Sequence, residues 1–87
     1  MKILMKQIEM IAWFVKDNYP IPLRYRIKSE DDTLIVIKVD KILFKEEEKI
    51  AGNRMIVYRC ESIINQIQIP FELKYEISTF KWYLYKI

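Results

Sequence analysis

The sequence predicts an all-β domain, a six-stranded antiparallel meander closing into a small barrel. The first sign is the alternation from Gln66 to Ser78. Ile67, Ile69, Phe71, Leu73, Tyr75 and Ile77 are apolar, and every residue between them is polar or proline. Successive side chains of a strand point to opposite faces, so a period of two means one dry face and one wet face, the mark of an antiparallel strand. The second sign is spacing: further short β-branched and aromatic stretches recur, separated by brief polar breaks. The third is an apolar share of 52% in 87 residues. A flat sheet of that composition would leave one face bare, whereas a closed one hides it and removes its edges. Chain length and the absence of any linker or repeat predict one domain, residues 1–87.

Taken in order, Met5 to Val15 reads as a strand with Ile8, Met10, Ala12 and Phe14 on one side. The alternative is an N-terminal helix packed on the sheet, with Leu4, Ile8, Ile11, Ala12 and Val15 as its stripe. Residues 16–20 form a turn, and Pro20 and Pro22 keep the following chain extended. Leu23 to Lys28 alternates, with Leu23, Tyr25 and Ile27 inward and Arg24, Arg26 and Lys28 outward. After the polar turn 29–32 a long strand runs from Thr33 to Lys45. Its apolar phase slips from Ile35, Ile37 and Val39 to Ile42 and Phe44, which predicts a bulge near Asp40-Lys41. Residues 46–53 read as a loop, with Gly52-Asn53 the best hairpin turn because both residues tolerate positive φ. Arg54 to Ile64 is a strand with Ile56, Tyr58, Cys60 and Ile64 on one side. Asn65-Gln66 turns into the strand that bears Pro70, whose missing N–H asks for an edge or a bulge. Phe80 to Ile87 is the last strand, with Phe80, Trp82 and Leu84 inward and Tyr83 and Tyr85 outward.

Several kinds of chemistry are excluded by composition. There is no histidine, one cysteine and one glycine. No imidazole shuttle, zinc cluster, Ser-His-Asp triad or phosphate-cradling glycine loop can be assembled. The reading is therefore not an enzyme, and no cofactor or metal is expected. Glu72 and Glu76 alternate with Lys74 on a wet strand face. The runs 30–32 and 46–48 lack the ligand spacing of a calcium loop, so all these carboxylates read as solvated. Cys60 falls on the inward side of its strand and reads as a small core hydrophobe. With one cysteine, no signal-peptide pattern and no apolar stretch long enough to cross a bilayer, a cytoplasmic protein with no membrane partner is expected.

Two binding readings remain. The surplus of apolar residues, or an unpaired strand edge, points to a protein partner or to self-association, including a homodimer. The alternative is a nucleic-acid face. Arg24, Arg26 and Lys28 stand on one side of one strand, the net charge is +3, and the outward Tyr83 and Tyr85 could stack bases. Which holds depends on whether a strand carrying Glu72 and Glu76 lies beside the three cations and neutralises them. The firmer fact is the apolar excess, so the protein-interaction reading leads.

The phrases Ile11-Ala12-Trp13-Phe14, Pro20-Ile21-Pro22-Leu23-Arg24-Tyr25-Arg26, Ala51-Gly52-Asn53 with Cys60, and Tyr75-Glu76 followed by Trp82-Tyr83-Leu84 run through most of the chain. Together they resemble the pattern of a small uncharacterised bacterial protein family, a domain of unknown function. The resemblance implies a short stand-alone bacterial protein. It assigns no activity and no functional residue.

Overall fold

A computed structural model describes all 87 residues, and it is all-β. Seven strands form one antiparallel sheet curled into a half-barrel. They are β1 (Ile3–Trp13), β2 (Ile21–Lys28), β3 (Leu34–Lys38), β4 (Lys41–Ile50), β5 (Asn53–Ile64), β6 (Ile67–Glu76) and β7 (Lys81–Lys86). Their order across the sheet is β3-β2-β1-β7-β6-β5-β4. There is no helix, so the N-terminal segment settles as strand β1. No helix is long and apolar enough to cross a membrane.

Seven strands replace the expected six because the long strand divides at Val39-Asp40. Counting antiparallel steps, β3 and β4 run the same way, and two residues cannot reverse a chain. They are one bent strand that changes partner. Val39 N–H still donates to Leu23 O of β2 at 2.9 Å. One residue later Asp40 N–H donates to Ser62 Oγ of β5 at 3.4 Å. Ser62 Oγ in turn donates to Lys38 O at 2.5 Å, and Asp40 Oδ2 accepts from Ile63 N–H at 2.8 Å. The predicted bulge is thus the corner at which the sheet folds back on itself.

The concave side holds the core. Cross-strand neighbours stack in rows: Ile8, Trp82, Tyr75 and Ile56, then Leu84, Leu73 and Tyr58, then Phe71 with Cys60. Tyr25 and Ile37 enter from β2 and β3. Tyr75 and Trp82 lie 4.7 Å apart between ring centroids, and Tyr25 meets Phe71 edge-on at 5.6 Å. Such pairs add about 0.5–1.5 kcal/mol each beyond the area they bury.

Several local expectations are corrected. Leu23 is exposed and Pro22 is buried in its place. The β1–β2 register slips there, since Ile11 faces Arg24 while Ala12 faces Pro22. Leu23 is the extra residue of a bulge, which turns its side chain out. Phe14 lies beyond the end of β1 and is exposed, with its ring edge-on to Tyr75 at 5.9 Å. Phe80 belongs to the β6–β7 turn at positive φ rather than to β7, and its ring is exposed. Residues 46–50 are strand, paired with β5 down to Ile50 opposite Asn53. The turn is Ala51-Gly52, both at positive φ, as a primed type I turn requires. Asn65 and Gln66 make the second such turn, as expected. Pro70 sits in a central strand, yet beyond the last partner that β6 finds in β7, so only β5 faces it.

Candidate functional site

The five residues singled out in the sequence share the convex face of the sheet. Arg24, Arg26 and Lys28 stand on β2. Tyr83 and Tyr85 stand two strands away on β7, across β1, where Gln7 faces Tyr83 and Glu9 faces Arg26. The acids of β6 are too far round the barrel to neutralise the cations of β2. Glu72 pairs with Arg59 at 3.3 Å, and Glu76 accepts from Asn53 and Thr79. The neutralisers come from nearer at hand: Glu9 takes Arg26 at 2.8 Å, and Asp32 lies 3.7 Å from Lys28. Tyr85 is also engaged, because the Lys74 ammonium sits 3.9 Å from its ring centroid. Lys74 is only 8% exposed and is held by Glu48 at 3.0 Å. Of the three cations, Arg24 alone has no acid partner. Lys38, directly opposite on β3, has no acid partner either.

The charge pattern differs sharply between the two edges of the sheet. Edge β4 carries Lys41, Lys45, Glu46, Glu47, Glu48 and Lys49. Two of its three acids are tied down: Glu47 pairs with Arg54 and accepts from the Tyr19 hydroxyl at 3.1 Å, and Glu48 pairs with Lys74. The Arg54 guanidinium holds the Glu47 carboxyl below its ordinary pKa. Charged side chains on an edge keep other strands away. Edge β3 has no such guard. It reads Leu34-Ile35-Val36-Ile37-Lys38, with Leu34 52% and Val36 63% exposed. Ile11, half exposed on β1, shares the convex face but is separated from Val36 by the arginines of β2. Glu9, Ile11, Arg24, Arg26 and Val36 line a shallow depression there.

No family model, curated protein or solved structure matches this chain.

The outward groups of β3 follow from the ladder. In an antiparallel pair, residues alternate between facing their partner with N–H and C=O and turning those groups away. The pairing with β2 is pinned at one end by Val39 N–H to Leu23 O and at the other by Ser29 N–H to Thr33 O. Residues 33, 35, 37 and 39 therefore face β2. Leu34, Val36 and Lys38 turn their backbone groups outward. The Lys38 carbonyl is taken by Ser62, which leaves Leu34 and Val36 as the open pair.

Sequence reasoning missed Ser62 and did not identify which strand forms the open edge. Ser62 lies on the inward phase of β5, between Cys60 and Ile64, and is buried. A polar residue in that phase was the available signal. The open edge carried none, because it depends on which strands are neighbours. Cys60 is fully buried as expected, and burial pushes its thiol up to about 12.

Proposed function

We propose that this protein is a non-catalytic interaction module that captures an extended segment of another polypeptide along β3. The observation that carries the reading is the contrast between the two edges, one armoured with charge and the other short, apolar and open at Leu34 and Val36. Strand addition draws affinity from backbone hydrogen bonds and specificity from the side chains that flank them. The absence of histidine and the depth of Cys60 support a binding role over a catalytic one. A lone free thiol fits a cytoplasmic setting. The nucleic-acid reading draws less support, since Arg26 and Tyr85 already have partners within the molecule.

Amide-resolved NMR tests the proposal. In dilute protein the amides of Leu34 and Val36 should exchange quickly while those of Ile35 and Ile37 stay protected. A synthetic peptide of alternating valine and threonine, with an acidic residue at one end, should shift β3 and slow exchange at Leu34 and Val36. An unchanged spectrum rejects strand addition. Shifts centred on Arg24, Lys28 and Tyr83 on adding a fluorescent oligonucleotide, and weakening steeply with salt, would put nucleic acid in its place.

A further inference from the structure

We propose that the segment β3 captures is β3 of a second copy, paired antiparallel across a twofold axis through Ile35, so that Leu34 of each chain faces Val36 of the other. The inference rests on the strand-addition reading and names its partner.

The register follows from the open backbone groups. Only Leu34 and Val36 offer both N–H and C=O, because Ser62 occupies the Lys38 carbonyl. An axis at Val36 would oppose Leu34 to Lys38 and waste that carbonyl. An axis at Ile35 joins Leu34 to Val36 twice and uses every open group. It also brings the two Ile35 side chains together on the concave side, where each is otherwise left exposed. On the convex side it places the exposed Leu34 and Val36 of the two chains in contact.

Charge selects an identical partner. The strand has an acidic end, the turn carrying Glu30, Asp31 and Asp32, and a basic end, Lys38 beside Arg24. An antiparallel twofold lays the acidic end of each copy against the basic end of the other. Continuing the Ile35 register by one step sets Asp32 opposite Lys38, and this happens twice per dimer. Within one chain Asp32 has only the loose contact to Lys28 at 3.7 Å, and Lys38 and Arg24 have no acid. The second copy supplies what both lack. Contact between β3 and β5 of the same chain lies at the Lys38 end, through Ser62, so Leu34 to Val36 are open to an incoming strand. A pairing this short belongs with small, weak interfaces, so dimers should form in the micromolar range or above.

Sedimentation equilibrium of the full chain tests this over about 10 μM to 1 mM, the span appropriate to a small interface. The wild type should shift from monomer to dimer. Lys38→Glu opposes two acids and Asp32→Lys opposes two cations, so each variant alone should dimerise about tenfold more weakly or worse. An equimolar mixture of the two should recover wild-type association as a heterodimer, because one native pair and one charge-reversed pair then each join opposite charges. Val36→Pro removes an outward N–H and should abolish pairing. The charge variants sit at exposed positions and keep the test sound if the proline variant misfolds. A wild type that stays monomeric throughout, or a mixture that recovers nothing, overturns the inference. If the valine–threonine peptide still occupies β3 in that case, strand addition survives with a foreign partner. If neither associates, both readings fall.

Discussion

Tyr25 and Tyr58 are both buried aromatics, yet they differ in one atom's surroundings. The Tyr58 hydroxyl donates to Pro20 O at 2.5 Å. The Tyr25 hydroxyl is buried with no hydrogen-bond partner. A satisfied buried hydroxyl contributes about 1 kcal/mol, while an unsatisfied one carries the full cost of leaving water. Tyr58→Phe should therefore lower stability by about 1–2 kcal/mol, and Tyr25→Phe should leave it unchanged or raise it by about 1 kcal/mol. Urea midpoints at constant slope measure both. Cys60 makes a second prediction at this scale. Its folded pKa is raised to about 12 by burial and, less, by Glu72, against about 8.5 in an unfolded chain. Above pH 8.5 the unfolded state gives up the thiol proton and the folded state keeps it, so stability falls as pH rises toward 12. The loss is bounded at about 1.4 kcal/mol per pH unit for one proton. Urea midpoints at pH 8 and pH 10 should differ in the wild type, and Cys60→Ala should remove most of that difference while costing some packing.

At the scale of elements, the two primed turns bear side chains that suit them poorly. Gln66 sits at φ 67° and Ala51 at φ 50°. Left-handed backbone disfavours both residues and favours glycine or asparagine. Gln66→Gly makes Asn-Gly at one tip and Ala51→Asn makes it at the other. Each should raise thermal stability, by about 0.5–1 kcal/mol, as read by calorimetry. The elements also tell why parts of the fold were legible. Residues 67–77 alternate because β6 is central and its inner row is filled by Phe71, Leu73 and Tyr75. The charged half of β4 is an edge whose side chains meet solvent, so its strand character comes from pairing with β5 and leaves no hydropathy trace. Leu23 misled for the same sort of reason: an extra residue in β2 shifts the phase, and the shift is set by β1. The convex grouping of Arg24, Arg26, Lys28, Tyr83 and Tyr85 followed from alternation alone. Their partners did not, because Glu9 and Lys74 became neighbours only through strand order.

For the whole molecule, the termini close the structure. Lys2 and Ile87 exchange backbone hydrogen bonds at 2.8 and 3.1 Å, continuing the β1–β7 ladder. Joining residues 1 and 87 by a short glycine–serine linker and opening the chain between Ala51 and Gly52 should give a permutant that keeps cooperative unfolding, since the new break falls at an exposed turn. Strand β7 has a further consequence. It lies between β1 and β6, so the units β1–β3 and β4–β6 meet through it and through the corner at Asp40. It is also the last of the seven strands in chain order. Without it the six earlier strands lack their keystone, with Ile8 and Tyr75 wanting the Trp82 indole between them. A purified fragment ending at Ser78 should accordingly be captured by holdase chaperones, and restoring residues 79–87 should end that dependence.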